Sequence, residues 1–366
     1  MTPECSLSRV KTWYRGDPDQ PTPAHIIEAA KRALDAGYTH YTPGLGIPEL
    51  RHAIAKKLKA RNGITADPDT EVLITTGAQE AVYTAMQMLL GAGDEVLMPD
   101  PHFTAYDSSI LLVGAKIVHV PTYAKDGWAV GVDELRKRIT PRTRAIVLVS
   151  PNNPPGNVLS RERLQELAAL AIERNLIVVS DEVYEHFVYG GKQHVSMASL
   201  PGMRERTISI WSFSKSYAMT GWRLGYLVAP ADAIASLAEL KFDITICAPA
   251  VTQMAGVAAL EGPQDDTERR RKLYEERAIF LAKGFNEMGL TCPPLEGGIC
   301  IFPEVKSTGL GSAEFCMRMI ERAKLHVLPG VQYGPYGEGY VRVSILADIP
   351  VLAEALGRIR AALPAR

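Results

Sequence analysis

The segment WSFSKSYAMTGWRLGY, residues 211–226, places one lysine, Lys215, among hydroxyl, aromatic and glycine residues. Arg223 follows in the same segment. The apolar run TISIW ends at Trp211 and predicts a strand that delivers the lysine to its carboxyl end. Open α/β sheets bind their ligands at that end of the strands. A lone lysine in a loop usually extends into water instead, so the role of Lys215 depends on its companions.

The length and charge of the chain limit the possible functions. Its 366 residues suit two domains, or one large α/β domain with an appendage. The 40 basic and 41 acidic side chains give a formal net charge of −1, and basic runs are missing, so nucleic acid and anionic membrane are poor candidate partners. The N-terminal stretch has no apolar core typical of a signal peptide, and no stretch approaches transmembrane length. These features predict a soluble, cytoplasmic protein.

The cysteines and histidines predict neither disulfides nor a metal site. The five cysteines are scattered, odd in number and without CxxC spacing, which indicates reduced thiols. The eight histidines lack HExxH or a similar ligand spacing. We therefore expect no metal.

Strand-like and helical patterns alternate along the middle of the chain. The predicted strands are VLITT, EVLMP, KIVHV, AIVLVS, LIVVSDE, TISIW and GYLVAP. Such alternation is typical of an α/β fold, a mostly parallel sheet with helices on both faces. After Ala231 long helices are followed by short strands and a final helix, which predicts a smaller α+β domain.

The change of pattern predicts two domains. We place the large domain at residues 42–265 and the small domain at residues 1–41 and 266–366. The N-terminal segment, with a helix predicted at residues 24–36, is expected to pack with the small domain.

Polar groups follow several of the predicted strands. Gly77, Ala78 and Gln79 follow VLITT and open a helix, so free amides and the helix dipole are available to a phosphate. Glycine is also common in such turns for packing alone. Asn153 lies in the loop SPNNPPGNV, where it is either a rigid donor or part of a simple turn. Asp181 closes an apolar strand, so it either meets a cation or caps a helix.

Together these groups match the needs of pyridoxal 5'-phosphate (PLP), which requires a lysine, an acid, a phosphate site and a rigid donor. Lys215 would form the Schiff base, and Asp181 would keep the ring nitrogen protonated. The phosphate would be bound by Gly77, Ala78, Ser212, Ser214 and Arg223, with Gln79 in the same turn.

The motifs SPNNPPGNV, SDEVYE, SFSKSYAMTGWRLGY and YVRVS, in this order, resemble those of fold-type I, class I/II aminotransferases, the aspartate aminotransferase-like enzymes. YTPGLGIPELR and GAGDEVLMPDPHF fit the same pattern, so the resemblance extends from about Gly16 to the C-terminus. It implies a PLP-dependent enzyme that moves an amino group from an L-amino acid to a 2-oxo acid through an aldimine of Lys215. It also implies a homodimer with shared active sites.

The resemblance further implies roles for individual residues. Asn153 and Tyr184 would donate to the phenolic oxygen of the cofactor, and Phe103 would stack on its ring. Tyr41 would reach the phosphate of the neighbouring subunit.

Arg342 would bind the substrate α-carboxylate as a bidentate pair, with Gly16 and Asn153 beside it. Two features depart from the family pattern. The segment before Gly16 is short and polar, and Ile299 and Cys300 replace bulky rings, which either widens the pocket or reflects repacking.

Other functions stay open at this stage. The motifs specify cofactor binding, so a PLP-dependent lyase or a cyclising enzyme on the same fold is the first alternative. A ligand-sensing regulator would need a DNA-binding segment, for which there is neither room nor basic charge. A nicotinamide enzyme is disfavoured because GLG at residues 44–46 lacks the GxGxxG context.

The neutral side chain of Gln79, and the absence of lysine and arginine from DITICAPA at residues 243–250, predict a preference for neutral amino donors over aspartate. The acceptor would be 2-oxoglutarate or pyruvate. Lys11 and Arg15 are the residues that could supply a missing charge.

Overall fold

The computed structural model describes residues 11–13 and 16–364. Within these residues the strands, numbered along the chain, are β1 (Lys11–Thr12), β2 (Val72–Thr75), β3 (Glu95–Asp100), β4 (Lys116–Pro121), β5 (Thr143–Val149), β6 (Ile177–Asp181), β7 (Thr207–Ser212), β8 (Gly225–Val228), β9 (Cys300–Ile301), β10 (Leu325–His326), β11 (Leu328–Pro329) and β12 (Val341–Ser344). The α-helices are α1 (Ala24–Asp35), α2 (Pro48–Lys57), α3 (Ala78–Leu89), α4 (Ala105–Leu111), α5 (Val132–Arg136), α6 (Arg161–Glu173), α7 (Phe213–Ser216), α8 (Ala231–Thr245), α9 (Ala250–Glu261), α10 (Asp265–Glu287), α11 (Ser312–Arg318) and α12 (Ile349–Ala362).

The central sheet has seven strands in the order β2-β8-β7-β6-β5-β3-β4. β8 runs antiparallel to β2 and β7, and the other neighbouring strands are parallel. The predicted α/β class with a mostly parallel sheet is therefore confirmed. The strands read as continuous apolar runs because helices cover both faces, so that residues of both orientations are buried.

Strand β3 shows how the two faces are filled. Val96 and Met98 pack into one apolar cluster with α3, α4 and α8, whereas Leu97 between them packs into another with α5 and α6. Successive side chains of a strand point to opposite faces, which explains this division. The helices and the sheet thus form one three-layered unit.

The N-terminal helix α1 corrects one prediction. Its buried residues Ile26 and Ala30 belong to an apolar cluster with α2, β2, β8 and α9, and not to the cluster of the C-terminal segment. The sequence indicated only that one face of this helix is apolar. Several apolar surfaces could cover such a face, and the helix packs against α9.

The C-terminal segment has its own apolar core. Helices α10 and α12 pack there against a three-stranded antiparallel sheet, β11-β12-β9. Trp13 joins this core next to β1, which pairs in parallel with β10. The predicted smaller α+β unit is therefore present, while the domain boundaries near residues 42 and 266 stay predictions.

No helix in the described part of the chain combines the length and the apolar character needed to cross a bilayer.

Register places the predicted polar groups at one edge of the central sheet. Asp181, at the carboxyl end of β6, lies opposite Val149 of β5 and Ile210 of β7. Gly225, the first residue of the antiparallel β8, lies opposite both Ser212 and Thr75, the last residues of β7 and β2. The start of α3, the loop after β5 and the short helix α7 consequently meet at this edge.

Candidate active site

A cavity of about 690 Å³ opens at the carboxyl edge of the sheet. Most of the site residues predicted from the sequence line it: Gly16, Ala78, Gln79, Phe103, Asn153, Asp181, Tyr184, Ser212, Ser214, Lys215, Arg223 and Arg342. Gly77 adjoins it through Arg223. Tyr41 does not line this cavity, and 80% of its surface is exposed.

Lys215 projects from helix α7 into the cavity. The hydroxyl of Ser212 caps this helix by accepting a hydrogen bond of 3.1 Å from the backbone N–H of Ser214. The Lys215 ammonium donates to the carbonyl oxygen of Gly16. Burial lowers the pKa of Lys215 to about 8, with Asp17 opposing the shift. The amine is therefore neutral, and nucleophilic, at a pH where an ordinary lysine is charged.

Asp181 is a buried carboxyl group with neutral partners. The phenol of Tyr106 and the backbone N–H of Val183, at 3.1 Å, donate hydrogen bonds to it. Burial raises its pKa to about 6. Because none of the hydrogen-bond partners in the described chain is cationic, the charged form of Asp181 would be stabilised by a positively charged group in the cavity.

The start of helix α3 and Arg223 form a cradle for an anion. Gly77 precedes the helix with a φ of 79°, and a Cβ there would lie 2.5 Å from Nη2 of Arg223. Only glycine leaves room for the guanidinium at this place. Arg223 itself has a φ of 54°, and its Nη1 donates to the carbonyl of Thr220 at 2.9 Å. A guanidinium above free helix N–H groups is a favourable phosphate site.

Asn153 and Tyr184 are two further residues that line the cavity. Both side chains are buried, and the amide oxygen of Asn153 has no hydrogen-bond partner among the described residues. Burial raises the pKa of the Tyr184 phenol above its ordinary value. The Tyr184 phenol therefore stays protonated and can donate to a ligand in the cavity, and the Asn153 amide is available to a ligand as well.

Arg342 of β12 also lines the cavity. Its Nη1 donates to the hydroxyl of Tyr333 at 2.8 Å, and its Nε lies 3.0 Å from the sulfur of Cys300. A Cβ added to Gly16 would lie 3.6 Å from both Nη2 of Arg342 and Nζ of Lys215. Gly16 therefore separates the two cations, and any side chain there would narrow the space between them.

Some residues of the site were not found from the sequence. Tyr106, the donor to Asp181, and Tyr333, the acceptor of Arg342, lie in segments without a recognised motif. Asp17 and Thr220 also line the cavity and contact each other through a 2.5 Å hydrogen bond. A tyrosine near a strand end is a weak signal, and only the fold shows which tyrosines point inward.

Two predicted departures from the family pattern have different outcomes. Ile299 and Cys300 are buried in the core of the C-terminal unit and do not line the cavity, which agrees with repacking. The segment before Gly16 falls largely outside the described residues. This includes Arg15 and the side chain of Lys11, the two predicted sources of extra charge.

Comparison with known proteins identifies the family. The sequence profile of "Aminotransferase class I and II" matches residues 12–359. The chain belongs to the class I and II aminotransferases. It is 45% identical over 350 residues to an aspartate aminotransferase of Pyrococcus abyssi and, over the same length, 45% identical to aromatic-amino-acid aminotransferase 2 of Thermococcus litoralis. Each alignment covers 95% of this chain and 90% of the relative.

Solved aminotransferase structures are also similar to this chain. The aromatic aminotransferase from Pyrococcus horikoshii OT3 superimposes with a TM-score of 0.95 at 44% identity, covering 98% of this chain and 96% of that one. The aspartate aminotransferase from Thermus thermophilus with maleate gives 0.92 at 34% identity, covering 97% and 92%. The chain is thus a PLP-dependent aminotransferase, which moves an amino group from an amino acid to a 2-oxo acid.

The cavity of this aminotransferase fits PLP. The Gly77 turn lets the Arg223 guanidinium lie against the start of α3, the buried amide oxygen of Asn153 has no hydrogen-bond partner in the described chain, and the Lys215 amine is partly deprotonated near neutral pH. The aldehyde, phosphate and ring nitrogen of PLP need an amine, an anion site and an acid, and this edge of the sheet supplies all three.

Proposed function

We propose that Lys215 is the covalent attachment point for PLP and the base of transamination, with Asp181 and Tyr184 as its catalytic partners. The supporting observation is the lowered pKa of the Lys215 amine inside a cavity that also contains a buried acid. Bound PLP supplies an electron-withdrawing ring that stabilises negative charge developing on the substrate α-carbon.

Each side chain of the site then has a separate role in the reaction. Lys215 Nζ would be the base that takes the proton from the substrate α-carbon and returns it to the bound cofactor. Asp181, oriented by Tyr106, holds the proton on the ring nitrogen. Asn153 and Tyr184 donate to the phenolic oxygen of the ring.

Phe103, which lines the cavity and is 37% exposed, would stack on the ring of the bound cofactor. The remaining cofactor contacts are to the phosphate, and we assign them to Gly77, Ala78, Gln79, Ser212, Ser214 and Arg223.

For the substrate, we propose neutral amino donors, with aromatic or apolar side chains. Three cationic side chains of the described chain line the cavity: Lys215, Arg223 and Arg342. The first two serve the cofactor, so Arg342, with Gly16 and Asn153 beside it, is left for the α-carboxylate. A second carboxylate would be buried without a partner and close to Asp17, which is unfavourable.

Half-reaction spectra test this substrate preference. The PLP form of the enzyme is mixed with alanine, phenylalanine or aspartate, and conversion to the amino form is followed by absorbance. We expect both neutral donors to react faster than aspartate. Aspartate reacting far faster than both would contradict the preference and point to a cation from the N-terminal segment or from a partner subunit.

We also propose a homodimer with shared active sites. Tyr41 is exposed, and the adjacent residue Thr42 is bonded to Gln253 of α9. Close by, the end of α8 exposes Phe242 and Ile244, and Ile244 lines a groove that adjoins the cavity at Gln79. Exposed apolar surface of this kind is typical of a protein interface. A partner docked there would bring its own Tyr41 towards the phosphate.

Mixed dimers test the sharing. Chains with Tyr41→Phe are combined with chains carrying Lys215→Ala. If Tyr41 completes the neighbouring site, each mixed dimer has one intact and one doubly altered site, and half of the wild-type sites stay active. A monomer in sedimentation that is fully active and loaded with PLP would exclude the dimer.

We further propose a cytoplasmic location. In the described part of the chain Cys247, Cys292, Cys300 and Cys316 are free thiols. Burial raises the pKa of Cys292 and of Cys316 to about 12, which keeps these thiols protonated and inert. Free thiols are typical of a reducing compartment.

A further inference from the structure

A second group of polar side chains is formed by the last residue of β3, Asp100, by His102 just after it, and by His119 within β4. One ligand atom each from Asp100, His102 and His119 lies within 4.8 Å of the other two. Asp100 is 0% exposed and His102 is 2% exposed. No sequence pattern predicted this group, because His119 is distant along the chain from Asp100 and His102 and is brought beside them only by the parallel pairing of β3 with β4.

The three side chains leave potential ligand atoms without hydrogen bonds. In the described chain, Oδ2 of Asp100 and Nδ1 of both histidines are buried and have no hydrogen-bond partner. Nδ1 of His119 is 2.7 Å from Oδ2 of Asp100, but the ring N–H is not directed at the oxygen. Asp100 and His119 thus compensate each other in part as an ion pair. Oδ2 of Asp100 still lacks a well-directed donor and Nδ1 of His102 lacks any hydrogen-bond partner in the described chain, and a common cation would satisfy all three atoms.

The surroundings hold the carboxylate and one imidazole in place. Oδ1 of Asp100 accepts a 3.2 Å hydrogen bond from the backbone N–H of Tyr336, which leaves Oδ2 for a cation. Gly334 packs so closely that a Cβ there would lie 2.1 Å from Oδ2. Nε2 of His102 is 2.7 Å from Oδ1 of Asp107. A proton on Nε2 shared with Asp107 leaves the lone pair on Nδ1, the usual arrangement of a metal-binding histidine and its carboxylate partner.

A comparable group elsewhere in the chain shows the difference. Glu182, Glu185 and His194 are equally close together. Their carboxylate oxygens, however, accept hydrogen bonds from Ser180, Ser196, Asn62 and Lys57, so that the negative charge is already compensated. Nδ1 of His194 is also without a hydrogen-bond partner in the described chain, so the difference lies in the carboxylates. Proximity of acids and histidines alone therefore does not mark a cation site, and the carboxylate oxygen without a donor distinguishes the group around Asp100.

We propose that Asp100, His102 and His119 bind a divalent transition metal, with Zn²⁺ as the best match, through Oδ2 of Asp100 and the Nδ1 atoms of the two histidines. Two imidazoles and one carboxylate suit Zn²⁺. His119 is partly exposed, so a water molecule can reach the fourth position. Bonds of about 2.0–2.2 Å to all three ligands need only small side-chain rotations.

A metal here would connect the two parts of the active-site wall. The backbone N–H of His102 donates to the carbonyl of Tyr333 at 2.8 Å, and the hydroxyl of Tyr333 accepts from Arg342. Phe103 follows His102 directly. The proposed role is structural, since the metal would hold the segment that carries Phe103 against the turn that supports Arg342. It requires no change in the PLP chemistry.

Zinc titration of the PLP-loaded enzyme tests the proposal. The enzyme is treated with a chelator, dialysed and titrated with Zn²⁺ in a calorimeter, and bound metal is counted by elemental analysis. We expect one Zn²⁺ per chain. His119→Ala should abolish this stoichiometric binding, and Asp107→Asn should weaken it by about 10- to 100-fold because it removes the carboxylate that orients His102.

His194→Ala is the matched control, because it alters the histidine of the comparable group and should leave zinc affinity unchanged. Thermal unfolding with and without Zn²⁺ is recorded for each variant, and zinc should raise the Tm of the wild type and of the control but not of His119→Ala. If His119→Ala does not fold, Asp107→Asn carries the test alone. Absence of stoichiometric binding in the wild type, or equal affinity in all variants, would overturn the proposal.

Discussion

Asp181 and Glu182 are adjacent in sequence and both are buried, yet they lie in opposite electrostatic environments. Asp181 faces the cavity, and its partners are a phenol and a backbone N–H. Glu182 faces the other way, where Ser180, Ser196 and His194 contact its oxygens. The carboxylate of Asp181 has no cationic hydrogen-bond partner in the described chain. The carboxylate of Glu182, by contrast, is compensated by hydrogen bonds within the protein.

The far side forms a closed polar network, made up of Lys57, Asn62, Glu182, Glu185, His194 and Ser196. Burial alone would raise the pKa of Glu185, but the charge of Lys57 and the contact with His186 hold it well below its ordinary value. Lys57 also lies 5.2 Å from the centre of the Trp211 ring. Buried charge therefore indicates a ligand site in this protein only where the protein itself does not pair it.

The largest effect on turnover is expected from Lys215→Ala, which removes the amine from the cavity. Transamination should fall by more than about 10³-fold, because both covalent attachment and proton transfer are lost. Lys241→Ala, which alters another buried lysine outside the cavity, should keep the yellow absorbance of lysine-bound PLP and the activity.

Borohydride reduction of the PLP-loaded wild type, followed by peptide mapping, locates the attachment directly. Modification of any lysine other than Lys215 would refute its assignment and with it the distinction between the two regions.

Asp181→Asn should give the next largest effect. The amide cannot hold a proton on the ring nitrogen, so kcat should drop on the order of a hundredfold or more while PLP stays bound. Absorbance of the bound cofactor and steady-state rates are the measurements. Turnover near that of the wild type would mean that the Asp181 carboxylate has no role in transamination.

Lys57→Met should have little effect on kcat but a large effect on stability. It leaves Glu185 as a buried charge without its cation, which costs about 3–5 kcal/mol in the free energy of unfolding. The double variant Lys57→Met, Glu185→Gln should recover part of this loss. Denaturant unfolding is the measurement, and a stability loss that persists fully in the double variant would show that packing, not charge, explains the network.

The smallest expected effect is the pH dependence of the rate of PLP uptake. Because burial disfavours its protonated form, Lys215 loses its proton near pH 8 rather than near 10.5. The rate of PLP uptake by the cofactor-free enzyme should therefore rise with pH, with a midpoint near 8. In Asp17→Asn the negative charge that opposes the shift is gone, so the midpoint should move lower still. A midpoint near 10 in the wild type would show that the amine is not desolvated.

Much of this arrangement is predictable from the sequence. Asp181 and Lys215 were predicted because each follows an apolar run that ends at the ligand-binding edge of the sheet, whereas Arg342 was predicted from the resemblance of YVRVS to the family motif. The elements around them were also predicted, since each strand of the central sheet reads as a separate apolar run. Long helices with one apolar face, such as α10, were predictable for a related reason.

Other features depend on long-range packing. The surface covered by α1, the inward orientation of Tyr106, and the meeting of Asp100 with His119 follow from strand order and helix placement. A single sequence does not encode these in any local pattern. The sequence therefore predicted no metal, whereas the fold brings together three side chains that suit one.

The place of β2 in the central sheet also affects how the protein is made. This strand lies at the edge of the sheet, and in the described chain its one sheet partner is β8, which is synthesised long afterwards. At ribosomal speeds of about 5–20 residues per second, β2 waits on the order of ten seconds for that partner. Until then the Gly77 turn lacks its contact with β8, and Arg223 has not yet been synthesised. The nascent chain therefore gains its anion cradle only after the lysine has left the ribosome.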